Sequence, residues 1–150
     1  MKKLVLLVSF AFLSLFTSCE DDEKLVDDFV QENYIVGKWY IKQIGAMNNL
    51  NTIVYVDYTN DSTCEGDNLV LTENGTFEEN SFEVVGSACE NFQTNGTYNL
   101  DKNILNLLTV NEEGETETLP LSIISLTYDA VNISFTDPDT GLLVFLKLEK

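Results

Sequence analysis

From Val36 onward the apolar residues recur at every second position, and no helical period returns. "VGKWYIKQIGA" sets Gly37, Trp39 and Ile41 on one face against Lys38, Tyr40 and Lys42 on the other, the pattern of a half-buried strand. "TIVYVDYT", "DNLVLTENG", "ILNLLTV", "ETLPLSIISL", "AVNISF" and "GLLVFLKLEK" supply further strands, and "NEEG" and "DPDTG" read as turns between them. Asn74-Gly75 and Asn95-Gly96 read as hairpin turns, each followed by Thr and an aromatic. Pro120 has no N–H and belongs at an edge, a bulge or a strand start. About eight to ten short strands in succession leave two open sheet edges, and closure into an up-and-down barrel removes both. The expected fold is therefore all-β, an antiparallel barrel of about eight strands.

The barrel is expected over residues 34–150, in a chain whose 150 residues suffice for one domain with a core. Ahead of it, "KLVDDFVQEN" (residues 24–33) places Leu25, Val26, Phe29 and Val30 on one helical face, so a short helix is expected there.

The charged residues close several doors. There are 25 Asp and Glu against eight lysines, and no Arg or His. Without His there is no Ser-His-Asp triad and no His metal ligand. Without Arg there is no bidentate clamp for phosphate or carboxylate. A net charge of −17 repels the nucleic-acid backbone. Paired carboxylates can hydrolyse glycosides, but no nucleophile-and-base constellation stands out among so many acids. No enzyme activity, no cofactor and no nucleic-acid partner are expected.

The N-terminus says where such a chain goes. Lys2 and Lys3 precede an apolar run from Leu4 to Phe16, which is shorter than the roughly 20 residues a membrane span needs. Basic, then apolar, then small residues is the order of a secretory leader. Phe16-Thr17-Ser18-Cys19 resembles the lipobox of bacterial lipoproteins, with Phe16 in place of the usual Leu. That resemblance implies cleavage after residue 18 and a lipid on Cys19. Glu20-Asp21-Asp22-Glu23 is similar to the acidic surface-export signal of Bacteroidota lipoproteins; an acidic run also keeps a tether extended. The expectation is a leader over residues 1–18, a lipid-anchored acidic tether and helix over residues 19–33, and outer-membrane attachment facing outward, with the periplasmic face as the alternative. The mature chain keeps six lysines and all 25 acids, a charge of −19, which suits a body held off an anionic membrane.

Gly37-Lys38-Trp39, in the first strand after a short helix, is similar to the G-x-W signature of lipocalins, and "NLVLTENGTF" through "NGTYNLDKNILNLL" looks like the lipocalin-like domain of Bacteroidota lipoproteins. The resemblance runs from about Ile35 to Glu149. It implies a barrel that binds a small apolar ligand. Lipocalins pack an Arg over the Trp; here a lysine such as Lys147 has to serve, or nothing does.

Once Cys19 carries lipid, Cys64 and Cys89 remain, each expected in a polar loop flanking the 69–85 hairpin. In an oxidising compartment two such cysteines pair. Trp39, Ile41, Leu71, Phe77, Tyr98, Leu107 and Phe135 are the candidates for the barrel interior and a ligand, although large residues in a small barrel more often simply fill it. Asp57, Asp61, Glu65 and Asp67 form a weak Ca²⁺ candidate, without EF-hand spacing, and read more simply as a solvated acidic loop. Asp61-Ser62-Thr63 resembles a bacterial O-glycosylation motif. Two functions follow: a binder of a small apolar molecule, or an accessory lipoprotein with a packed barrel that meets an envelope protein on its outside. An interior void of a few hundred Å³ separates them.

Overall fold

The structure, a computed structural model, describes residues 34–60, 63–111 and 113–150. Cys19, the acidic run and the helix expected over residues 24–33 lie outside the described residues, as do Asp61 and Ser62. Tyr34 and Ile35 are helical. The strands that follow are β1 (Gly37–Met47), β2 (Ile53–Asp57), β3 (Asn68–Leu71), β4 (Thr76–Val85), β5 (Ala88–Asp101), β6 (Ile104–Val110), β7 (Thr116–Leu126), β8 (Ala130–Thr136) and β9 (Leu143–Glu149). Each pairing is antiparallel, and β1 also pairs with β9, which closes the sheet into the expected barrel.

Nine strands make eight staves. Residues 43–47 of β1 pair with β2, and residues 37–40 pair with β3 along the same edge. The Tyr58 N–H donates to the Lys42 carbonyl at 2.8 Å, and the Ile41 N–H donates to the Asp67 carbonyl at 3.1 Å. The chain thus leaves the stave after Tyr58 and rejoins it at Asp67.

The stretch 76–101 departs from expectation. It is one long hairpin, β4 and β5, and Asn95-Gly96 lies inside β5 rather than at a turn. Gly96 is opposite Phe77. A Cβ there would stand 2.1 Å from the Leu108 carbonyl oxygen and 2.6 Å from the Phe77 ring, so the glycine is needed for close approach, not for a turn. Asn74-Gly75 does turn the chain between β3 and β4, with Gly75 at φ 76°. Cys89 accordingly sits in a strand and not in a loop. Pro120 stands opposite Asn106 in β7, where β8 pairs only from Ser122 onward; it occupies the half of the strand with a single neighbour, as its missing N–H requires.

Alternation sends Trp39, Leu71, Phe77, Leu105, Ile123 and Val131 into one packed end of the barrel. Trp39 is 0 % exposed. Its indole N–H donates to the Ile35 carbonyl at 2.6 Å, so the helical residues before β1 satisfy the one polar atom of the ring. The cation over the indole is Lys150 at 4.5 Å from the ring centre, not Lys147. Lys147 pairs with Gln43 on the outer face and lies 4.0 Å over Tyr55. Lys150 follows the end of β9, so it is free to fold beneath the barrel, where it also donates to the Tyr34 carbonyl at 3.1 Å.

Candidate functional site

Next to this floor the barrel is not filled. A partly enclosed cavity of about 290 Å³ remains. Of the sequence candidates, Ile41, Leu107 and Phe135 line it, and Trp39, Leu71 and Phe77 belong to the floor. Tyr98 packs against the core, and its hydroxyl donates to the Thr72 carbonyl at 2.7 Å. Leu69, Leu119, Leu121, Ile133, Leu146 and Leu148 complete the apolar wall. Each stands two or four residues along its strand from a floor residue or from another wall residue, as a period of two demands.

One flank is polar. Tyr58, Asp67, Glu79 and Ser81 reach it from the interrupted stave and from β4. Asp67 is 7 % exposed and has no cation beside it. Four donors hold it instead: the Tyr58 hydroxyl, the Asn60 side-chain amide at 2.9 Å, the Phe82 N–H at 2.8 Å and the Ser81 hydroxyl at 3.5 Å. Burial, and then the bond to Asp67, push the Tyr58 hydroxyl up to about 12. Glu79 is different. Burial against the wall, and then the charge of Asp67, raise its carboxyl above the usual carboxylate range. Among the described residues it makes no hydrogen bond and no ion pair, yet its side chain is reachable by solvent.

That reach comes through a gap. β4 beyond Asn80 pairs only with β5, and β2 pairs only with β1. Tyr58, Asp67 and Ser81 border the opening between them. The Cys64–Cys89 disulfide, with Cα atoms 5.6 Å apart, ties the segment just ahead of Asp67 to the start of β5. At the same end Ile44, Val54, Val56, Leu142 and Val144 form an open apolar shelf.

The calcium candidate disperses. Asp57 accepts from the Gln43 amide at 2.8 Å, Glu65 pairs with Lys38 and accepts from Tyr40 at 3.2 Å, and Asp67 serves the flank just described. Among the described residues no three such side chains gather to hold a metal. Glu79 and Ser81 follow Phe77 at the period of two and line the cavity, but the buried residue after Phe77 is Asn80, and Glu79 stays exposed.

The sequence matches a family described as lipocalin-like domain over residues 35–133. No curated protein matches it. Among solved structures it resembles a lipocalin-like protein from Bacteroides uniformis ATCC 8492, with 14% identity, TM-score 0.51, and 78% of this chain and 98% of that one covered. An uncharacterized protein from Bacteroides eggerthii DSM 20697 is similar at 13% identity and TM-score 0.45, covering 77% and 98%. A bovine odorant binding protein, as a deswapped triple mutant, is similar at 16% identity and TM-score 0.41, covering 78% and 74%.

Proposed function

The chain belongs to the lipocalin-like domain family, and we propose on that premise that it is a non-enzymatic carrier of one small apolar molecule. The observation that carries this is the cavity: about 290 Å³, walled by leucines, isoleucines and Phe135, and open at one end. Small-molecule sites run from about 300 to 1,000 Å³ and are mostly apolar, so the space suits a slender ligand at the lower end of that range. A barrel whose only task was an outer contact would gain stability by filling this volume.

The test fills it. Leu121 stands in the wall and is buried. Leu121→Phe projects a ring into existing space, so the fold should survive at a cost of about 1–3 kcal/mol or less. In the parent protein, an apolar dye should bind saturably at micromolar concentration and be displaced by a ligand of the right shape. In the variant that binding should fall at least about tenfold, a loss of 1.4 kcal/mol or more, with an unchanged circular dichroism spectrum. Equal binding by both proteins would move the ligand out of the barrel. No saturable binding in a screen of fatty acids, sterols, quinones, haem and long-chain amines would overturn the carrier function in favour of the packed-barrel accessory role.

We propose further that the carrier is anchored to the outer membrane by lipid on Cys19, facing outward. The leader grammar and the acids after Cys19 support this. Cells fed a fatty-acid probe should label the parent protein and not Cys19→Ala; equal labelling would remove the anchor. Protease treatment of intact cells should release the domain, and full protection would assign it to the periplasmic face.

A further inference from the structure

We infer that the molecule carried in the barrel has a cationic ammonium head, which pairs with Glu79 while the apolar tail runs toward Trp39. This rests on the carrier function proposed above and names the chemical class of its ligand.

The cavity holds two carboxylates and no basic side chain. The two are not equivalent. Asp67 has four donors within the protein, so its role is to tie Tyr58 and Asn60 to β4. Glu79 has none among the described residues. It stands opposite Leu69 on one side and Thr94 on the other, two residues from Phe77, and lines the cavity while its side chain remains exposed to solvent. A leucine at that place would extend the apolar wall; the glutamate instead sets a carboxyl in the lining.

The chemistry of the head follows by comparison. A carboxylate head meets the Glu79 carboxyl as a like charge. An alcohol donates one hydrogen bond and leaves the charge uncompensated. An ammonium donates and neutralises together, and such charge-assisted bonds are about twice as strong as neutral ones. The distance along the strand also fits. Glu79 lies toward the gap, Phe77 in the floor, so a head at Glu79 leaves the tail the apolar part of the cavity. Outside, a mature body of net charge −19 attracts cations to the opening.

Titration calorimetry of the full chain with three ten-carbon probes, decylamine, decanol and decanoate, separates the heads at constant tail. Decylamine should bind about tenfold or more tighter than decanol at neutral pH, with decanoate weakest, from the usual strength of hydrogen bonds to charged groups. In Glu79→Gln the preference for decylamine over decanol should fall below about threefold, with decanol itself little changed. Folding of the variant has its own readout. The titratable groups facing Glu79 are Asp67 and Tyr58, with Glu83 acting on Tyr58. A carboxyl raised in the folded state destabilises the fold above its unfolded value of about 4.3. Glu79→Gln should therefore melt higher than the parent at neutral pH, and the gain should vanish in acid. Equal binding of all three probes would leave the carrier standing and overturn the ammonium head. Tighter binding of decanoate or decanol, or an amine preference that persists in Glu79→Gln, would overturn it as well. Binding of none of the three would overturn the ammonium head, while the carrier function is decided separately by the dye and Leu121→Phe.

Discussion

Trp39→Ala is expected to lower the stability of the domain by about 3–5 kcal/mol, the usual range for removing a large buried aromatic. The indole is the largest of the fully buried side chains and has no contact with solvent. It packs within the cluster of Ile35, Leu71, Phe77 and Leu105. Its removal also leaves the Ile35 carbonyl without the indole N–H and Lys150 without the ring beneath its ammonium. The loss is a cavity plus an unpaired acceptor, two of the mechanisms that give large effects. Urea unfolding, extrapolated linearly to water, measures it. Trp39→Phe separates the parts: it keeps most of the ring volume and loses the hydrogen bond, at an expected cost of about 1–3 kcal/mol. A loss under about 1 kcal/mol for the alanine variant would contradict the position of Trp39 in the floor.

Removing the Cys64–Cys89 bridge should have the second largest effect. The two cysteines are 25 residues apart, and loop-closure entropy for that length corresponds to about 3–4 kcal/mol. For a domain of this size the melting temperature should fall by about 10 °C or more in Cys64→Ser/Cys89→Ser, and equally on reduction of the parent. Non-reducing mass spectrometry should find the two peptides joined in protein recovered from the envelope; two free thiols would refute the bridge. The position of the bond adds a consequence for the site. It ties Cys64, ahead of Asp67, to the start of β5 in the β4–β5 hairpin, and Asp67 and Glu79 both line the cavity. The double serine variant should therefore lose ligand affinity as well as stability. A variant that melts with the parent would show that the stave and hairpin are held by their ladders alone.

Much of the barrel was legible because its signal is local. In "VGKWYIKQIGA" the face of each side chain is set by its neighbours one and two residues away, and Trp39 and Ile41 are inside as that pattern requires. The stretch 76–101 was not legible in the same way. β5 is polar and exposed over most of its length, so the contrast between faces that marks a strand is weak there. Asn95-Gly96 misled for a related reason: the dipeptide is a turn signal by propensity, but Gly96 answers to Phe77 and Leu108, which lie in other strands.

What the sequence determined by itself was the all-β class, the order of most strands, the inward face of β1 and the absence of histidine and arginine chemistry. Each depends on composition or on a period of two. Only the tertiary structure decided the rest. That β2 and β3 share one stave, that Lys150 rather than Lys147 covers Trp39, and that Glu79 lines a cavity without a partner among the described residues are relations between residues far apart in the chain. They arise from ring closure between β1 and β9 and from how far the side chains fill the space it encloses. A local pattern assigns a side chain to a face. The volume left behind that face is the sum over eight staves, and no segment of the sequence carries that sum.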